Sequence, residues 1–222
     1  MGLRFVHFIG LALGLGAATL LDLMLVRFFV RGTISSESWK IVHFFSKIVN
    51  VGLLVLWVTG IGFVVHYAFF DPVKLMNEKI WAKLAIVLVL SVNGLFIHAI
   101  VLPRIRAQIG NTLLAGMSRF QRSAFLTSGA ISATSWYVPV ILGAFPQLNF
   151  SVPATTILVT YALLLIAAIV AMHAIMALIE PSRAGTERGD ARLGIDDFPA
   201  LKCSSVKYGF DHGDQWQSRA YS

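Results

Sequence analysis

Six histidines punctuate this chain, and four of them, His7, His66, His98 and His173, fall inside long apolar stretches. An imidazole in such a setting has a short list of roles. It can ligate a metal or a haem iron, carry a proton, or hydrogen-bond between neighbouring elements. Asp22 and Lys83 also interrupt apolar stretches, and ionisable side chains there are costly enough to raise a functional question. Cys203 is the single cysteine. It cannot pair internally, and a thiol–imidazole nucleophile has no support.

The composition says what must position these groups. Of 222 residues, 57% are hydrophobic and 13% charged, with a mean hydropathy of +0.75. Soluble domains carry roughly 25% charged residues, so about half the usual charge is missing. A soluble globular enzyme, a disordered chain and a disulfide-stapled secreted domain are excluded. A membrane-spanning helix needs about 20 mostly apolar residues. Five stretches qualify, at about 3–30, 42–70, 80–102, 123–147 and 153–179. The expectation is an all-α polytopic membrane bundle of five transmembrane helices over 1–179, followed by a polar tail, 180–222. The first stretch runs through Leu20, Leu21 and Leu23 to Val30, longer than a cleaved signal's apolar core. It reads as a retained helix.

Charge sets the expected orientation. Arg27, Arg31, Lys40 and Lys47 flank the first connection, Arg104, Arg106, Arg119 and Arg122 the third, and Arg183, Arg188 and Arg192 follow the fifth helix. The alternate side has Arg4, then Lys74 and Lys79 offset by Asp71 and Glu78. The positive-inside rule therefore predicts an external N-terminus and a cytoplasmic C-terminus. The tail has six Lys/Arg against seven Asp/Glu, so the net charge of +7 belongs to the membrane loops. It implies anionic-lipid contact and no nucleic acid.

Finer signals mark ends and joints. Ser35-Ser36-Glu37-Ser38 reads as a helix start, Asp71-Pro72 as a helix end, and the basic segment 104–122 as an interfacial helix. Ser128, Ser132, Thr134 and Ser135 make the fourth span the least apolar, suited to the interior of a bundle. The tail reads as loop, with Phe198, Tyr208, Phe210, Trp216 and Tyr221 available to dock on a partner.

Counting from each span's midpoint gives depths. His7, His66 and Lys83 fall roughly 14 Å outside the midplane, while His98 and His173 fall roughly 10 Å inside it, with Asp22 close by. His43 sits near the inner surface. Paired histidines at two depths are what one or two b-type haems require, each iron taking an imidazole from different helices. Gly10 and Gly14 share the face of His7, Gly62 that of His66, and Gly94 that of His98, where they could leave flat space for a porphyrin. Small residues also recur wherever membrane helices pack closely, and Gly10–Gly14 is itself a GxxxG. Asp22, His98 and His173 could equally form a proton relay. Met24, Met172 and Met176 would suit copper or simple packing.

The segment Phe5-Val6-His7-Phe8-Ile9-Gly10, followed by Gly14 and Gly16, resembles the first helix of a set of small bacterial membrane proteins. That set includes the HemJ-type protoporphyrinogen oxidases and the CopD-type copper resistance proteins. Lys79-Ile80-Trp81-Ala82-Lys83-Leu84 resembles their third helix, so the likeness covers residues 1–106. In the HemJ group a helix-1 histidine and a helix-3 lysine are associated with haem b, which by resemblance implies His7 and Lys83. The chain departs from that pattern in its additional intramembrane histidines, its five helices and its tail.

The combined expectation is a multi-pass haem-b redox or electron-transfer protein of the bacterial cytoplasmic (inner) membrane. His7, His66 and Lys83 would serve an outer site, His98 and His173 an inner one, with Asp22 near a ligand or propionate. Its donor or acceptor would be a quinone or a redox protein. The alternative is a non-catalytic accessory or assembly subunit of a larger membrane complex, its tail docked on other membrane-protein subunits. Nothing in the residues decides whether the chain is an enzyme.

Overall fold

The computed structural model describes residues 1–31, 34–110 and 117–192, with side chains at 1–28, 34–110 and 117–178. It is helical, in the order α1 (Gly2–Arg31), α2 (Ser36–Phe70), α3 (Glu78–Phe96), α4 (Leu102–Ala107), α5 (Arg119–Ala144) and α6 (Ala154–Arg192). A π-helical turn, Ile97–Val101, joins α3 to α4 without a break. Among the described residues, five segments are long and apolar enough to cross a membrane: Gly2–Phe28, Ser36–Phe70, Glu78–Ala107, Arg119–Ala144 and Ala154–Leu178. The protein is a multi-pass membrane protein in contact with lipid.

Local chemistry sets the element ends. Ser35 caps α2, its hydroxyl accepting from Ser38 N at 3.1 Å. Ser118 caps α5 through a reciprocal pair, in which the Gln121 side chain accepts from Ser118 N at 3.2 Å. Pro103 does not end the third span. Leu102 N donates to Ile97 O, five residues back, and this wider turn relieves the clash a proline ring makes inside a regular helix. Part of the expected interfacial helix thus continues the third span as α4, and residues 111–116 lie outside the described residues.

α1 and α2 lie antiparallel at very close range. A Cβ at Gly52 would come within 2.5 Å of Gly14 Cα, and one at Gly10 within 2.7 Å of Val55. Only glycine permits this approach. The core then divides by depth. Ala18, Leu56, Leu90 and Trp136 form the middle layer. Phe28, Ile34, Val42, Val101, Leu102, Ile105 and Phe125 fill one end, and Ala82, Ile86, Leu142, Ile157 and Tyr161 the other.

That second end is tied by one short segment. Lys79, only 4% exposed, donates from Nζ to Phe145 O at 2.7 Å and Asn149 Oδ1 at 3.0 Å. A cation thus meets the unpaired carbonyl end of α5. Glu78 Oε2 accepts from Ala154 N at 2.6 Å, placing an anion at the amino end of α6.

Met1–Leu178 form one compact unit and Ile179–Ser222 a second. The backbone of 180–192 continues α6. The remainder of the expected tail, with Cys203 and its aromatics, lies outside the described residues.

Candidate functional site

His7 is half-buried on α1 and faces Thr59 of α2, with Nδ1 to Oγ1 at 2.7 Å. The hydroxyl hydrogen of Thr59 is already committed, donating to Val55 O at 2.6 Å. Oγ1 can therefore only accept from His7, so Nδ1 carries the proton and Nε2 keeps its lone pair. Phe63 stands edge-on to the imidazole, centroids 5.4 Å apart. Lys83 Nζ of α3 lies against Gly143 of α5, and the Gly14–Trp136 contact sets that turn of α5 level with His7. The structure thus brings His7 and Lys83 to one locality.

His66 does not join them. The α1–α2 contacts Leu3–Gly62, His7–Thr59 and Gly14–Gly52 define the register, and His66 lies seven residues beyond Thr59. It is therefore about 10 Å farther along the bundle than His7. The depth count failed because it centred both helices at one level, whereas α2 runs well past the start of α1. His66 is exposed, against Tyr67 and Phe70 of its own helix.

The glycines beside His7 are not a cradle either. A Cβ at Gly14 would collide with the Trp136 ring, and the face at Gly10 is filled by Val55 and Gly52 O. Gly62 faces Leu3. The GxxxG is a packing device, and any planar group at His7 must use another face.

Asp22, His98 and Met172 line a separate cavity of about 180 Å³, walled by residues of all six helices and the π turn. Sites for drug-sized ligands occupy roughly 300–1,000 Å³, so this volume does not hold a porphyrin. His98 Nε2 lies 3.1 Å from Asn50 Oδ1 and 3.3 Å from Ser46 Oγ. An amide oxygen only accepts, so Nε2 carries the proton and Nδ1 the lone pair. His173 turns to α5, its Nε2 3.3 Å from Thr127 Oγ1 and 3.5 Å from Ser123 Oγ. The Asn93–Ser128 contact sets the α3–α5 register and brings His98 level with the same turn of α5. The two imidazoles share a depth but hydrogen-bond to different helices.

Among the described residues, no three His, Cys, Asp or Glu side chains converge as ligands for a bare ion. The sequence reasoning missed two features, the Thr59 bond and the Lys79 clamp. A hydroxyl residue inside an apolar stretch, seven residues before His66, was the available signal for the first. Comparison with protein-family models, with curated proteins and with solved structures finds no match for this chain.

Proposed function

We propose that this is a haem-b redox protein of the bacterial cytoplasmic membrane, with one haem held through His7 near the external end of the bundle. The observation that supports this most is the His7–Thr59 hydrogen bond. Thr59 Oγ1 accepts from His7 Nδ1–H, which leaves the Nε2 lone pair free to ligate, the orientation by which an outer partner prepares a ligating histidine. Lys83, level with His7 by the Gly143 and Gly14–Trp136 contacts, would take the place expected of His66 as a second nitrogen ligand, in keeping with the resemblance to the HemJ group. Haem b, when bound, supplies a one-electron couple. The chain's own part is to fix the imidazole ring, place a lysine beside it and exclude water with Phe63.

The orientation belongs to the same proposal. Arg27, Lys40, Lys47, Arg104, Arg106, Arg119 and Arg122 gather at the end of the bundle opposite Arg4, Lys74 and Lys79, which favours an external N-terminus. Visible spectra of purified protein, oxidised and dithionite-reduced, with a pyridine haemochrome count, test the reading. The expected result is one b-type haem per chain, lost in His7→Ala. Folded protein that stays haem-free with haem supplied, or full haem content in His7→Ala, would overturn it.

A further inference from the structure

We propose that the cavity beside Asp22 and His98 binds the ring of a lipid-soluble quinone or quinol. This inference does not rest on the haem proposal, because no residue of the His7 locality lines the cavity. Size comes first. An apolar cavity of about 150 Å³ holds one benzene ring, so about 180 Å³ matches a single six-membered ring with small substituents. Access comes second. Val26, Asn50 and His98 line the cavity and are exposed within segments apolar and long enough to span a membrane, so its wall reaches the surface of the bundle. A ligand entering there arrives from the bilayer, and an attached hydrocarbon tail can remain outside.

The polar groups narrow the class. Asp22 on α1 and His98 in the π turn after α3 are the two titratable side chains of an otherwise largely apolar lining. Nε2–H of His98 is committed to Asn50, which leaves Nδ1 to accept a hydrogen bond. A carboxyl group accepts when ionised and donates when protonated. Quinol hydroxyls donate to His98 Nδ1 and to ionised Asp22, whereas quinone carbonyls accept from protonated Asp22 and from His98 once Nδ1 has taken up a proton. Trp136 and Phe125, 3% and 7% exposed, supply flat apolar walls. His98 itself sits in the π turn, a distortion that concentrates at functional sites.

Two glycines provide the test. Gly94 and Gly129 both line the cavity, and a Cβ at either meets nothing within 4 Å, so a larger side chain enters open space. Decylubiquinone is titrated into the purified full chain in detergent, with quenching of tryptophan fluorescence as the readout. Quenching should saturate, and most of it should disappear in Trp136→Phe. Gly129→Leu should weaken binding at least tenfold, and Asp22→Ala and His98→Ala each about tenfold. Decylbenzene, with the tail but no ring oxygens, should not compete. His7→Ala should bind the quinone unchanged, which separates this inference from the haem proposal. Should Gly129→Leu fail to fold, judged by gel filtration, the Asp22 and His98 variants carry the test. Unsaturable quenching, decylbenzene competing as well as the quinone, or wild-type affinity in all three cavity variants would overturn the assignment.

Discussion

Thr59 accepts a hydrogen bond from His7 Nδ1 at 2.7 Å while passing its own hydrogen to Val55 O. That arrangement makes the imidazole a one-sided donor. Thr59→Val keeps the volume and removes the acceptor, leaving Nδ1–H unpaired at a buried contact. Loss of such an orienting partner costs 10–100-fold in metal affinity on the order of known cases. Haem titration of the apoprotein should show a drop of about that size, smaller than the complete loss in His7→Ala. Equal haem affinity in Thr59→Val and wild type would show that the threonine orients nothing.

Helix pairing makes a sharper contrast. Gly52 meets the α1 backbone, whereas Gly16 and Gly60 have open space where a Cβ would go. Gly52→Ala should destabilise the α1–α2 pair by about 1–3 kcal/mol, the usual cost of overpacking. Gly16→Ala and Gly60→Ala should be neutral or slightly stabilising, since alanine favours the helix. Thermal unfolding in one detergent orders the three variants. Equal midpoints for Gly52→Ala and Gly16→Ala would mean that the close approach does not limit stability.

These glycines also mark where sequence reading stops. Long apolar runs announce membrane helices because the bilayer sets their length, and all five spans were legible on that ground. Register is another matter. Hydropathy locates a span without saying how far it protrudes, so His66 was placed level with His7 although α2 extends beyond α1. A glycine shows that a Cβ is missing and leaves open what fills the space, so a porphyrin cradle and a helix contact read alike at Gly10 and Gly14. The Asp22–His98 layer was legible because residue counts along α1 and α3 end near one depth. That a cavity separates their walls depends on side chains from all six helices, and no single segment encodes it.

Lys79 and Lys74 are five residues apart and read alike in the sequence, yet their burial differs. Lys74 makes an exposed pair with Asp71 at 2.7 Å, with 46% of its side chain accessible. Such pairs contribute about 0–1 kcal/mol. Lys79 is buried against the end of α5, and its removal leaves Phe145 O and Asn149 Oδ1 without their donor. Lys79→Met should cost about 1–3 kcal/mol, while Lys74→Met should leave the unfolding midpoint nearly unchanged. Similar midpoints in the two variants would remove the clamp from the account of how α5 and α6 are joined.

Membrane orientation can be read by chemistry from either side. Met76 at one end of the bundle is 78% exposed, and Arg106 at the opposite end is exposed as well. With Cys203→Ser as background, Met76→Cys and Arg106→Cys each carry a single thiol. The proposed orientation places Arg106 in the cytoplasm together with Arg104, Arg119 and Arg122. A membrane-impermeant maleimide added to intact cells should therefore label Met76→Cys at once and Arg106→Cys only after permeabilisation. The reverse pattern would turn the bundle over. It would put the His7 locality at the cytoplasmic end and the Asp22–His98 cavity in the external half.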